Sequence, residues 1–154
     1  MMQKIWNNKY FQLFAVLLLS IGLLSGCGAA DVQISDVERT SLVENGSYTS
    51  PEDVAEYLHF YGHLPDNFIT KSEARTLGWD SQDGNLEEVA PGMSIGGDSF
   101  GNREGLLPKA DGRKYYECDV NYEGGYRKGE RLVYSNDGLI FYTDDHYKSF
   151  EQLY

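Results

Sequence analysis

Few side chains in this 154-residue chain can carry chemistry, and their spacing removes several reactions at once. Histidine occurs at His59, His63 and His146, and cysteine at Cys27 and Cys118. His59 and His63 are spaced like ligands on one helix face, but Gly62 and Pro65 put His63 beyond the helix end, so no metal pair is expected. The motifs GxxxxGK(S/T), GxSxG and HExxH do not occur, which removes nucleotide hydrolases, serine esterases and zincins. A carboxylate, Glu117, on the polar side of an alternating stretch and an imidazole, His146, in the run Asp144-Asp145-His146-Tyr147 are the types that exchange protons in acid–base catalysis. Each also has a plain explanation. A Glu facing an Arg across a sheet is more often an ion pair worth a few tenths of a kcal/mol, and a His in a polar turn is usually just solvated.

The elements that must hold these groups change character along the chain. Ser50 is an N-cap, Pro51 suits the first helical position, Glu52 and Asp53 favour the positive end, and Val54, Tyr57, Leu58 and Tyr61 recur at helical spacing until Gly62 and Pro65. Thr70-Lys71-Ser72-Glu73 is a capping box that opens a short helix through Leu77, stopped by Gly78, and a further turn runs from Leu86 to Ala90 before Pro91-Gly92. From Ile95 the period becomes two. Gly96-Gly97-Asp98 and Gly101 to Gly105 read as turns, and Lys114 to Tyr122 alternates, with Tyr115, Glu117, Asp119 and Asn121 on the polar face. Arg131 to Tyr134 and Leu139 to Thr143 are strands joined at Asn136-Asp137-Gly138, and Ser149 to Tyr154 is an edge strand. Helices first and strands second give an α+β domain, N-terminal helices packed on a C-terminal antiparallel sheet.

Before that domain, Lys4 and Lys9 precede a nearly unbroken apolar run from Phe11 to Leu24, then Leu24-Ser25-Gly26-Cys27. This is a lipoprotein-type signal peptide over 1–26 with Cys27 as the lipidated residue; the run is short of the roughly 20 apolar residues of a membrane span. With Cys27 acylated, Cys118 is left without a partner for an intrachain disulfide. Residues 27–48 lack apolar periodicity and read as a tether, and 49–154 as the folded domain. Localisation is thus extracellular, secreted or anchored to the outer membrane face, with membrane contact through the lipid alone.

The chain carries 13 Lys and Arg against 24 Asp and Glu, a net charge of −11, which taken by itself argues against a phosphate-rich partner. Removing the signal leaves 11 basic residues against 24 acidic ones, −13. The average conceals an asymmetry: residues 28–70 hold eight acids and one base, residues 99–148 nine acids and eight bases. Local field in the C-terminal half is the better guide to a site.

Leu64-Pro65-Asp66-Asn67-Phe68-Ile69-Thr70-Lys71-Ser72-Glu73-Ala74, Val89-Ala90-Pro91-Gly92, Ser94-Ile95-Gly96-Gly97-Asp98, Asn102-Arg103-Glu104-Gly105, Asn121-Tyr122 and Asp145-His146-Tyr147 closely resemble the barnase-like, guanyl-preferring extracellular bacterial ribonucleases. The resemblance runs in order from about residue 50 to 154. It implies a microbial ribonuclease fold and a metal-independent endoribonuclease, without cofactor, that cuts single-stranded RNA 3′ to guanine through a 2′,3′-cyclic phosphate, later hydrolysed.

By position, Glu117 matches the family's general base and His146 its general acid, with Lys71, Arg127 and Arg131 as phosphate-binding cations. Cations around Glu117 would hold it ionised, and Asp144 and Asp145 would favour the imidazolium of His146. Guanine recognition maps onto Phe100, Gly101, Asn102, Arg103 and Glu104, whose carboxylate would take the base's ring N–H and amine, with Tyr147 packing near the nucleotide. Gly101 stands where the family commonly has Ser, which would loosen this loop. Such a monomeric enzyme implies a cytoplasmic, barstar-like acidic inhibitor protein as partner. The reading of a different class is a binding or toxin-delivery lipoprotein that keeps the fold and dispenses with catalysis.

Overall fold

The computed structural model describes residues 42–154; the expected signal peptide, Cys27 and the tether as far as residue 41 lie outside the described residues. Helix α1 (Pro51–Tyr61) begins where local chemistry puts it. Ser50 Oγ accepts the Asp53 N–H at 3.1 Å, and Gly62, at φ 75°, closes the C-terminus by donating to Leu58 O. Its apolar stripe, Val54, Ala55 and Leu58, packs on Cys118, Val120, Leu132 and Ile140 of the sheet.

Residues 42–48, expected to end the tether, are instead fastened to α1. Tyr57 Oη donates to Glu44 O at 2.6 Å, Tyr61 Oη to Leu42 O at 3.2 Å, and Tyr48 packs against the α1 core. The attachment is made largely through backbone carbonyls, which leave no periodic side-chain pattern to read.

Strand β1 (Phe68–Ile69) leads into helix α2 (Lys71–Thr76), capped by the full Thr70/Glu73 box, and a single turn, α3 (Leu86–Val89), follows. Ala74, Trp79, Leu86, Ala90 and Ile95 form a satellite core beneath them. Strands β2 (Ser94–Phe100), β3 (Tyr115–Asp119), β4 (Arg131–Ser135), β5 (Ile140–Thr143) and β6 (Glu151–Gln152) complete a six-stranded sheet in simple sequence order. All neighbours are antiparallel except the two-residue parallel pair β1–β2.

Gly96-Gly97-Asp98, read as a turn, lies inside β2. The register shifts there: Gly96 faces Cys118 and Asp98 faces Glu117, with Gly97 bulged at φ 91°. A Cβ on Gly96 would sit 2.7 Å from Cys118 Cβ and 2.7 Å from Phe68 Cδ1. Glycine marks a bulge and a close approach as readily as a turn, and local sequence does not separate the cases.

The β3 alternation holds, but its polar face is not a solvated one. At one end that face is closed by Leu107, Tyr115, Val133 and Phe141. At the other it carries Glu117, Asp119, Arg131 and Thr143, all buried.

Candidate active site

The polar end of that face is organised around Glu117, 8% exposed. Lys71 Nζ meets Glu117 Oε1 at 2.5 Å, a contact across 46 residues of sequence, and Tyr147 Oη donates to Oε2 at 2.7 Å. Lys71 is aimed by the start of α2: Thr70 caps the helix, and the Lys71 N–H is taken by Asp98 Oδ2 at 2.9 Å. The β2 bulge therefore helps set the lysine. Burial opposes ionisation of Glu117, but the hydrogen bonds from Lys71 and Tyr147 and the charges of Lys71 and Arg127 outweigh it, holding the carboxyl below its usual range. Burial and the same hydrogen bond push the Tyr147 phenol up, so it stays a donor.

Beside Glu117, Asp119 is 2% exposed. Arg127 forks onto it, Nε to Oδ2 and Nη2 to Oδ1, both at 2.6 Å. Arg131 Nε lies 2.9 Å from Asp119 Oδ1, yet its N–H is not directed at an acceptor and is left without a hydrogen bond. Arg131 Nη1 is held by Lys128 O and Glu130 O, both at 2.6 Å. The two cations expected together thus differ: the Arg127 side chain is 20% exposed, the Arg131 side chain 3%. Arg127 can meet a ligand edge-on, whereas Arg131 mainly backs the site. Lys71, Arg127 and Arg131 thus stand among three carboxylates, Glu117, Asp119 and Asp98, with Asp98 facing the Lys71 backbone rather than its ammonium group.

The loop between β5 and β6 supplies His146 and Tyr147, both in the left-handed region at φ 59° and 67°. Two such residues in succession cost on the order of 1 kcal/mol or more each and need outside support. The buried Thr143 hydroxyl accepts the Tyr147 N–H at 3.1 Å. Asp145, expected to face His146, commits its carboxylate to its own loop: it accepts from Thr143 Oγ1, Lys148 N–H, Ser149 N–H and Ser149 Oγ. Those bonds, led by the two from Ser149, hold its pKa down to about 2. His146 is exposed at the rim. A Cβ on Gly129 would come 3.3 Å from His146 Nδ1 and 3.2 Å from Asp144 O, so glycine lets the β3–β4 loop pass against this turn.

The recognition residues gather opposite. Phe100 packs on Tyr147 at 5.2 Å between ring centroids, and Phe100 to Glu104 line a cleft of about 810 Å³ together with His146 and Tyr147. Asn102, at φ 41°, clamps the loop with its side chain, donating to Leu107 O at 2.9 Å and accepting the Leu107 N–H at 3.1 Å. Its amide is therefore a loop fastener. Arg103 and Glu104 are exposed. Gly101 has no positive φ, and a Cβ there would meet only Arg103 at 3.5 Å.

All the sequence candidates in the described residues are brought to one region, with Tyr147 joining the cleft to Glu117. Asp119, Asp98, Thr143 and Gly129 were not assigned from sequence. Asp119 gave one signal, its place two residues from Glu117 on the same strand face. His59 and His63 take no part: His59 stacks on Tyr154 at 4.2 Å and His63 packs edge-on against Tyr57.

Known proteins share much of this sequence. A ribonuclease from Heyndrickxia coagulans is 58% identical over 102 residues, 66% of this chain and 94% of that protein. A ribonuclease from Bacillus pumilus is 52% identical over 124 residues, 80% of this chain and 74% of the relative. Guanyl-specific ribonuclease St from Saccharopolyspora erythraea is 44% identical over 55 residues, 35% of this chain and 54% of its own length. The ribonuclease family profile matches residues 51–154, the stretch that builds the sheet, the buried charge cluster and the cleft, and the chain belongs to the ribonuclease family.

Proposed function

We propose that this ribonuclease cuts single-stranded RNA 3′ to guanine by transphosphorylation, without metal. The observation that carries the reading is the Glu117 carboxyl held between Lys71 and Tyr147 beside a cleft rimmed by His146. Glu117 takes the proton of the ribose 2′-hydroxyl, the freed oxygen attacks phosphorus, and His146 gives its proton to the departing 5′ oxygen, leaving a 2′,3′-cyclic phosphate. Lys71 and Arg127, backed by Arg131, face the charge that accumulates on the phosphorane-like oxygens. Hydrolysis of the cyclic product runs the same transfers in reverse, with His146 activating water and Glu117 returning the proton.

Guanine specificity is assigned to backbone N–H groups of Phe100 to Arg103 and to Glu104, whose exposed carboxylate has no hydrogen-bond partner among the described residues. The guanyl-specific relative supports the guanine preference. The N-terminal reading adds export, lipidation at Cys27 and attachment to the outer membrane face of a monomer, with a barstar-like inhibitor guarding the cytoplasm that makes it. The test is incubation of the purified protein with single-stranded RNA and a chelator, followed by end mapping. Guanosine 2′,3′-cyclic phosphate ends are expected; cleavage that needs added divalent metal, or ends spread over all four bases, overturns the proposal.

A further inference from the structure

We infer that a second cleft, on the other side of the recognition loop, binds phosphates of RNA nucleotides flanking the one that is cleaved. The inference rests on the reading above in taking single-stranded RNA as ligand. This cleft, about 640 Å³, shares Ser99 and Phe100 to Arg103 with the one rimmed by His146, and is otherwise lined by Lys109, Arg113, Lys114 and neighbouring loop atoms. The two concavities are the two flanks of one loop, so a strand seated in the first crosses a single ridge to reach the second.

Its charge is what sets it apart. Of the ten Lys and Arg in residues 42–154, against 21 Asp and Glu, four line this cleft, and no carboxylate does. Arg113 is fixed by Asp137 through three contacts of 2.7–2.9 Å and by Pro108 O at 3.1 Å. Arg103, Lys109 and Lys114 make no side-chain hydrogen bond or ion pair among the described residues. Lys109 Nζ lies over the loop, 3.6 Å from where a Cβ of Gly105 would stand. On so acidic a protein, three unneutralised cations in one concavity form a site for anions. Lysines in an open groove suit phosphates spaced along a flexible backbone, read as point charges without base preference.

The experiment measures binding, so it is separate from cleavage. Fluorescently labelled di- and hexaribonucleotides containing one guanine are titrated into the purified protein carrying Glu117→Gln, with and without Lys109→Ala/Lys114→Ala. The double substitution is expected to weaken hexanucleotide binding on the order of tenfold at ~0.1 M salt and to reduce the slope of log Kd against log salt by about 1.4, since each phosphate neutralised on a single strand contributes about 0.7. Dinucleotide binding should be unchanged, and Lys109→Arg/Lys114→Arg should restore the hexanucleotide. An unchanged hexanucleotide slope, or equal losses for both lengths, overturns the subsite. Should the cleavage test fail while the slope changes as stated, the subsite stands and only the catalytic reading falls.

Discussion

Replacing Tyr147 by Phe removes one oxygen and keeps the ring on Phe100, so it isolates the 2.7 Å hydrogen bond to Glu117. A hydrogen bond to a charged group contributes about 1.5–3 kcal/mol, against about 0.5–1.5 kcal/mol for a neutral pair. The Glu117 carboxyl is depressed in the fold, so its contribution to stability is present above the unfolded pKa and is lost as pH falls through the folded value. Tyr147→Phe should therefore destabilise by about 1.5–3 kcal/mol near pH 7, roughly 5–10 °C in Tm for a domain of this size, and by about half that once the pH lies below the folded value of Glu117, where the carboxyl is protonated with or without the phenol. In kinetics, the same loss raises the pKa of the base and moves the acidic limb of kcat/KM to higher pH. Urea unfolding at both pH values and a pH–rate profile on guanosine-containing RNA give the readouts. Equal destabilisation at the two pH values with an unmoved acidic limb would refute the claim that this hydroxyl sets the ionisation of Glu117.

Other substitutions address separate parts of the site. Glu117→Ala and His146→Ala should each lower kcat about 10²- to 10⁴-fold in RNA cleavage, and a fully active His146→Ala would remove the acid assignment. Asp119→Asn leaves Arg127 and Arg131 without their shared counter-charge and should cost about 3–5 kcal/mol in denaturant unfolding. Gly96→Ala should lose about 1–3 kcal/mol because its Cβ would overlap Cys118 and Phe68, whereas Gly101→Ser should be tolerated and gain about 0.4–1 kcal/mol by stiffening the unfolded chain, with cleavage retained. Burial pushes the Cys118 thiol up, so it should resist thiol reagents until the protein is unfolded.

The parts of the fold that could be read beforehand are those whose causes are local. The Ser50 cap, the Thr70/Glu73 box and the Asn136-Gly138 turn each involve groups within a few residues, and all three form as the sequence implies. The β3 alternation was equally legible, because a strand turns successive side chains to opposite faces whatever lies across from it. Gly96-Gly97 has the local signature of a turn yet forms a bulge, because glycine permits both, and the docking of residues 42–48 leaves no sequence signal because it runs largely through carbonyl oxygens. The site residues were found by resemblance rather than by spacing, since no two of Lys71, Glu117 and His146 are neighbours in the chain.

Sequence by itself determined the helices and strands β3 to β6 in their order, the helix caps and the Asn136-Gly138 turn, the concentration of cations in the C-terminal half and the identity of the groups available for proton transfer. Only the tertiary structure decided their states. Pairing β3 with β2 and β4, and setting α2 at the β2 bulge, buries Glu117 and brings Lys71 and Tyr147 onto it, while Asp119 takes up Arg127 and draws Arg131 out of solvent. Burial strengthens every one of these charge interactions, and burial is a property of the packed molecule that net charge and composition do not contain.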